Sequence, residues 1–253
     1  METITLTFGD CAENHRGMQE IGERAISGLD FKDLTIAKDY FESKGVVCEL
    51  YRLCDHIPGT VLPEAYLLVA RSACDVIVDK KQLCDEQNTL ERDKKAFMYG
   101  RVVNKKARHN LCFSDFDQVA DYEQGKGTVV SFAKLPLLSK IRDELPRIVG
   151  TDKVHNLQCE ANYYYDIKNT YIGFHGDTER KIVVAARLGA SFPLHYQWFR
   201  FGNPVGELFS VVLNDGDMYF MSEKAVGFDW KKRNEFTLRH AAGTEKKVVG
   251  WKK

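Results

Sequence analysis

The sequence predicts an α+β protein whose C-terminal part is built mainly from short strands. After about residue 95, six or seven short segments rich in aromatic and β-branched residues follow one another, with Gly, Asn or Asp at the breaks. This spacing is typical of an antiparallel sandwich or barrel. No helical pattern alternates with these segments, which disfavours a Rossmann-type parallel sheet.

The composition is that of an ordinary globular chain. Hydrophobic residues make up 44% and charged residues 28% of the 253 residues, which excludes a disordered, collagen-like or coiled-coil protein. Lysine plus arginine and aspartate plus glutamate both number 36, so the formal net charge is zero. This balance excludes a strongly basic nucleic-acid clamp, but it is compatible with a local basic groove.

The cysteines and the apolar runs indicate where the protein resides. Seven cysteines occur without a CxxC spacing, so we expect reduced thiols in a cytoplasmic or nuclear protein. No apolar run approaches the roughly 18–20 residues of a membrane span, and the first residues lack the basic start and apolar core of a signal peptide. We therefore expect no membrane attachment.

Residues 1–90 are predicted to form an N-terminal α/β segment of unknown role. Alternating residues predict its first strand, and a stripe of Leu34, Ala37 and Phe41 predicts its second helix. Its predicted elements are, in order, a strand at 3–7, helices at 13–28 and 33–44, strands or buried helices at 46–53 and 66–78, and a charged linker or solvated helix at 79–95.

Residues 91–253 form the second predicted domain. Its first elements are a strand at 129–136 and an amphipathic helix with Leu137, Ile141 and Leu145 on one face. Short strand-like segments complete it, each bounded by turn residues. These segments are 156–167, 170–177, 181–189, 193–202, 208–221, 234–243 and 245–253.

The triplet His175-Gly176-Asp177 is the sharpest chemical feature. On a strand, side chains two positions apart point to the same face, so His175 and Asp177 lie together while Gly176 adds no bulk. Two histidines with one carboxylate form the facial triad of non-haem Fe(II) oxygenases. Taken alone, the triplet also fits a surface turn, because polar residues follow it.

Four short motifs occur in order around this triplet. They are Asn162-Tyr163-Tyr164, His175-Gly176-Asp177-Thr178-Glu179, Arg187-Leu188-Gly189, and Gly216-Asp217 with an apolar strand after it. Together they resemble the AlkB family of Fe(II)- and 2-oxoglutarate-dependent dioxygenases. The resemblance covers roughly residues 100–253 and implies a double-stranded β-helix (jelly-roll) core with flanking helices. It also implies that Asn162 and Tyr164 bind 2-oxoglutarate, and that His175 and Asp177 bind iron.

The iron site needs a third ligand, and two histidines follow Asp177. We expect His240 to be this ligand, because small residues after it leave room for a cosubstrate, whereas His195 is crowded by aromatic residues. A second alignment stays open. In it, Arg233 and Arg239 match the Arg-x5-Arg segment of the family's last strand, and the distal ligand is missing or substituted.

The cosubstrate's distal carboxylate needs a cation, for which arginine is favoured and lysine is sufficient. Among the lysines that follow His240, Lys247 is the predicted partner because it could begin a strand beside that histidine. Lys252 has the other spacing that is seen in this superfamily. For each single lysine, a solvated surface position is the simpler interpretation.

The densest basic and aromatic stretch is residues 94–109. It precedes the predicted barrel where the AlkB family places its nucleotide lid, and a base taken out of a duplex needs a basic and aromatic rim. Tyr99, Arg101, Lys105 and Arg108 are therefore the predicted substrate-binding residues. A lysine-coated strand and turn is an equally good interpretation of this stretch.

The resemblance implies oxidative dealkylation of N-alkylated bases in DNA or RNA, with Fe(II) and 2-oxoglutarate as cofactors. Two alternatives stay open. One is a 2-oxoglutarate-dependent hydroxylase of a protein side chain, which the zero net charge slightly favours. The other is a non-catalytic binding barrel with a decayed metal site.

Overall fold

The computed structural model of the chain describes residues 1–57 and 59–249. These residues form sixteen strands. In chain order the strands are β1 (Thr3–Gly9), β2 (Cys11–Glu13), β3 (Glu20–Gly22), β4 (Cys48–Arg52), β5 (Tyr66–Ala70), β6 (Lys95–Met98), β7 (Arg101–Asn104), β8 (His109–Ser114), β9 (Val129–Ser131), β10 (Gln158–Tyr164), β11 (Ile172–His175), β12 (Val183–Gly189), β13 (Phe192–Arg200), β14 (Asn203–Leu213), β15 (Met218–Met221) and β16 (Thr237–Ala242).

Helices are few in the described residues, and only two exceed ten residues in length. They are α1 (Phe31–Glu42), α2 (Lys80–Asn88), α3 (Pro136–Val149), α4 (Glu223–Val226) and α5 (Glu245–Val248), with short 3-10 helices at Leu53–His56, Ala73–Val76, Tyr122–Gln124, Phe132–Lys134 and Asp152–Val154.

Local chemistry explains where the two longest helices begin and end. Asp30 and Asp33 cap the start of α1 reciprocally, because each side chain accepts a hydrogen bond from the other residue's backbone N–H. Helix α3 begins with Pro136, which has no N–H to lose there, and is followed by Gly150 at a φ of 68°. The amphipathic helix predicted before residue 150 is confirmed.

Two sheets contain most of the strands. The large sheet has eight strands in the order β4-β5-β15-β12-β1-β10-β8-β9, and the small sheet has four in the order β11-β16-β13-β14. The strand pairs described in these sheets are antiparallel except β8 with β9. The hairpins β2-β3 and β6-β7 each form a separate two-stranded sheet. The predicted α+β class is confirmed.

The two faces of the large sheet bury different partners. One face packs against α1 and α3, and strand β1 directs Ile4, Leu6 and Phe8 to that apolar core. The opposite face packs against the small sheet, through large side chains such as Tyr196 and Trp198. We call these the helix face and the inner face.

Strand β1 lies in the middle of the large sheet, between β10 and β12. Its Thr5 is opposite Asn162 on one side and Arg187 on the other. Strands β4 and β5 extend the same sheet beyond β15. Strands from both sides of the boundary predicted near residue 90 therefore pair in one continuous sheet.

One predicted helix, over residues 13–28, is wrong. This segment contains the end of β2, a loop and β3, because Gly17 and Gly22 adopt φ values of 84° and 97°. Such left-handed backbone is incompatible with a right-handed helix. Where the sequence left strand or buried helix open, at residues 46–53 and 66–78, the structure has strands. Where it left linker or helix open, at residues 79–95, the structure has helix α2.

The last predicted strand, at 245–253, is also wrong in its described part. Residues Glu245–Val248 form α5, with the N–H of Lys247 donating to the carbonyl of Thr244. All seven cysteines are free thiols. Within the described ranges, no helix is long and apolar enough to cross a membrane.

Candidate metal centre and its cavity

Two neighbouring strands of the small sheet bring the predicted metal ligands together. His175 ends β11 directly opposite His240 of β16, and Asp177 follows two residues after His175. Gly176 permits this turn, because an added Cβ would collide with the carbonyl oxygen of Gly227. Strand pairing thus places residues 65 positions apart in one cluster.

The cluster has the size expected of a metal site. One ligand atom from each of the three side chains lies within 4.8 Å of the other two. Oδ1 of Asp177 is 3.5 Å from Nε2 of His175 and 3.7 Å from Nε2 of His240. Nδ1 of His175 is 2.8 Å from the carbonyl oxygen of Gly173, which leaves Nε2 facing the cluster.

The electrostatics of the cluster favour a bound cation. Burial lowers the pKa of His175 to about 4, and burial together with the nearby His175 and Arg180 lowers the pKa of His240 well below its usual range. Both imidazoles are therefore neutral at pH 7, which is the form that binds metals. Burial and the Glu179 carboxylate raise the pKa of Asp177 although Arg180 opposes the rise, so a bound cation would stabilise the charged form of this carboxylate.

His195, the other histidine considered for the distal position, and the two arginines of the second alignment lie outside the cluster. His195 is buried with both ring nitrogens engaged, Nδ1 at 2.7 Å from Ser210 Oγ and Nε2 at 2.8 Å from the Gly243 carbonyl oxygen. Arg233 is exposed in the loop before β16. Arg239 stacks its guanidinium 4.0 Å from the Phe199 ring centre. The structure thus assembles the ligand set of the first alignment.

The cluster opens into a cavity of about 510 Å³ between the two sheets. The inner face of the large sheet lines it with polar side chains, since alternate residues of β1 and β10 point the same way. These side chains are Thr5, Thr7, Glu160, Asn162 and Tyr164.

Asn162 and Tyr164, the predicted cosubstrate residues, both line this cavity. Oδ1 of Asn162 accepts hydrogen bonds from Arg108 and from Asn110. Tyr164 is buried, with its ring centre 4.7 Å from that of Phe192.

Lys247, the predicted carboxylate partner, lies elsewhere. It is exposed on α5 and does not line the cavity. The physical reason is that residues after Thr244 turn into a helix on the surface and do not continue beside β16. Its alternative, Lys252, lies outside the described residues.

Among the cations that line the cavity, Arg187 is the candidate partner for that carboxylate. It is completely buried on β12, and its Nε and Nη1 find no hydrogen-bond partner among the described residues. A buried charge without a partner is strongly unfavourable, so this guanidinium is suited to an anion in the cavity. An arginine inside the otherwise apolar strand Val183–Gly189 was the available sequence signal.

Comparison with known proteins gives one relative. No protein-family model matches the chain. The chain is 47% identical over 250 residues to "Uncharacterized protein R156" of Acanthamoeba polyphaga mimivirus, with 98% of each chain covered. The chain belongs to the R156 family. Because that relative is described as uncharacterized, membership gives no activity.

In this R156-family chain, two further charged residues that the motifs do not predict line the cavity, Arg180 and Glu160. Arg180 is buried and donates to Oε2 of Glu160 at 2.6 Å and to Oε1 of Glu179 at 3.0 Å. Its Nε also lies 3.5 Å from Oδ2 of Asp177. The sequence signal for Glu160 is its position two residues before Asn162, because residues at i and i+2 of a strand point to the same face.

The four predicted substrate-binding residues are divided between the surface and the interior. Tyr99 is 89% exposed at the turn of the β6-β7 hairpin, and Arg101 beside it is also exposed. Lys105 instead donates from Nζ to the Asn14 and Asn110 side chains, and burial lowers its pKa to about 8. Arg108 lines the cavity.

Proposed function

We propose that the protein is an Fe(II)- and 2-oxoglutarate-dependent dioxygenase. The observation that carries this proposal is that one cavity contains both the His175, Asp177 and His240 cluster and the unpaired guanidinium of Arg187. Two imidazoles and a carboxylate fit Fe(II) with open coordination positions. A separate buried cation fits the far carboxylate of a dicarboxylic cosubstrate.

The topology supports a jelly-roll interpretation of the two sheets. From β10 to β16 the chain moves between the large and the small sheet, with β10, β12 and β15 in the former and β11, β13, β14 and β16 in the latter. We propose that these seven strands form a double-stranded β-helix. Its eighth place, between β10 and β12, is taken by the N-terminal strand β1.

Six side chains of the cavity have a defined role in this proposal. When bound, Fe(II) and 2-oxoglutarate would supply the oxidising chemistry with O2, by which a substrate C–H bond is hydroxylated and 2-oxoglutarate is converted to succinate and CO2. The neutral His175 and His240 and the carboxylate of Asp177 would hold the metal. Arg187 would hold the far carboxylate, and Asn162 and Tyr164 would orient the cosubstrate beside it.

For the substrate, we propose an N-alkylated base in DNA or RNA. The β6-β7 hairpin supports this choice, because it exposes Tyr99 together with the cations of Lys95, Arg101 and Lys106. Exposed aromatic rings and cations suit stacked bases and phosphates. The chain then leads from this hairpin into the cavity, where Arg108 lies.

Succinate formation from 2-oxoglutarate tests the activity directly. The purified chain with Fe(II) should produce succinate, and His175→Ala and Asp177→Ala should abolish it because two ligands cannot retain the metal. His155→Ala is the matched control, since His155 is exposed and outside the cavity. Wild-type rates in both ligand variants would contradict the metal assignment.

Substrate stimulation separates the proposed substrate from the alternatives. An alkylated oligonucleotide should accelerate succinate formation and lose its alkyl group as an aldehyde. Stimulation by peptides alone would indicate a side-chain hydroxylase. Metal and 2-oxoglutarate binding without any turnover would indicate a binding protein.

A further inference from the structure

The metal ligands and the predicted cosubstrate residues are connected through one buried carboxylate, that of Glu160. Its Oε1 accepts from Nδ2 of Asn162 at 3.0 Å and from Nδ2 of Asn110 at 3.2 Å. Its Oε2 accepts from Nη2 of Arg180 at 2.6 Å. Glu160 is 5% exposed, and water therefore competes little for these bonds.

Arg180 continues the connection to the metal cluster. Its Nε lies 3.5 Å from Oδ2 of Asp177, whereas Oδ1 of that carboxylate faces the two imidazoles. Because the hydrogen of Nε is donated to Oε1 of Glu179, the guanidinium attracts this oxygen of Asp177, the one that does not face the histidines, by its charge. Fixing one oxygen of a ligating carboxylate fixes the direction of the other.

On the other side, Asn162 has little freedom to rotate. Its Nδ2 donates to Glu160, and its Oδ1 accepts from Asn110 and Arg108. Asn110 is itself held by Nζ of Lys105 at 3.0 Å. Because Glu160 and Asn162 are two positions apart on β10, the strand keeps both on the inner face.

We propose that Glu160 is a positioning residue that orients Asp177, through Arg180, and Asn162 directly. It would touch neither the metal nor the cosubstrate. This inference rests on the proposed function, because it assigns the two ends of the connection to metal and cosubstrate binding. Its consequence is that one substitution at Glu160 impairs both halves of the site.

Glu160→Gln is the most informative variant, with Co(II) as a spectroscopic probe for the metal. A glutamine keeps the shape, but its amide NH2 must face either the donors of Arg180 or those of the two asparagines. We expect Co(II) affinity to fall about 10- to 100-fold, as for other groups that orient metal ligands. We also expect the Co(II) absorption bands to shift, and 2-oxoglutarate to bind the loaded protein more weakly.

Arg180→Lys provides a second variant that retains the charge. A single ammonium cannot reach Glu160, Glu179 and Asp177 together as the planar guanidinium does. This variant should shift the Co(II) bands, yet it leaves the bond between Asn162 and Glu160 in place. It should therefore weaken 2-oxoglutarate binding less than Glu160→Gln does.

Asp115→Asn is the matched control, because it removes the carboxylate partner of another buried arginine, Arg142, outside the cavity. It should lower thermal stability and leave the Co(II) bands unchanged. If the wild-type chain binds no Co(II), the proposed function falls and this inference falls with it. If the wild type binds Co(II), and Glu160→Gln and Arg180→Lys keep its affinity and bands, only this inference is overturned.

Discussion

Along strand β1, the helix face and the inner face of the large sheet bury opposite kinds of side chain. On β1, Ile4, Leu6 and Phe8 join the apolar core beneath the helices, while Thr5 and Thr7 line the cavity. The first set stabilises the fold by removing apolar surface from water. The second set lines a cavity with charged neighbours, which is the kind of surface on which the proposed function depends.

The largest effect we expect is on the helix face. Phe8→Ala should lower the free energy of unfolding by about 3–5 kcal/mol, because it leaves a cavity in a closely packed core. Urea unfolding followed by circular dichroism measures this. Thr7→Ala on the same strand is the control and should cost far less. Equal losses at both positions would mean that the two faces do not differ in the way described.

On the inner face, His240→Ala should reduce Fe(II) or Co(II) affinity by more than the roughly 10- to 100-fold that loss of an orienting group costs, because it removes a direct ligand. Metal titration of the folded variant measures the change. His195→Ala should leave metal affinity near normal, since both nitrogens of His195 are engaged elsewhere. The reverse pattern would transfer the distal ligand to His195.

Arg187→Met sharpens the comparison, because here binding and stability should change in opposite directions. Replacing a buried charge by a packed apolar side chain should raise the free energy of unfolding by about 1–4 kcal/mol. The same change should abolish 2-oxoglutarate binding measured by calorimetry. A variant that is destabilised and still binds 2-oxoglutarate would contradict the role given to Arg187.

The smallest effect concerns the rim outside the inner face. Charge reversal at Lys95, Arg101 and Lys106 should weaken oligonucleotide binding and flatten its salt dependence. The reason is that binding with fewer phosphate contacts releases fewer counterions from the nucleic acid. Reversal at Lys246 and Lys247, exposed on α5, is the control. An unchanged salt slope for the hairpin variant would favour a protein substrate.

Sequence reasoning succeeded where the signal is local. Segments rich in aromatic and β-branched residues predicted the strands that contain Asn162 and His175. The small residues after His240 favoured this histidine over His195, and it is the one that lies beside His175 and Asp177. Sequence reasoning failed where the information is distant in the chain. Nothing near residue 187 specifies that its guanidinium finds no counter-ion, since that depends on which strands surround it.

One of the errors, the prediction for Lys247, has the same origin. The prediction of Lys247 assumes a strand beside His240 of β16, but both places next to β16 belong to β11 and β13. A strand is assigned its neighbours by pairing across the whole chain, and alternation in the sequence does not reveal those partners. The glycines at 17 and 22 were the overlooked local signal against the helix at 13–28.

The position of β1 also affects how the protein folds. Thr3 pairs with Tyr164 and with Gly189, so β1 leaves the ribosome well before both of its partner strands. Until they emerge, Ile4, Leu6 and Phe8 remain without their core, and closing so long a loop is entropically costly. Refolding should therefore be slow, with insertion of this strand as a late step that completes the core and the cavity together.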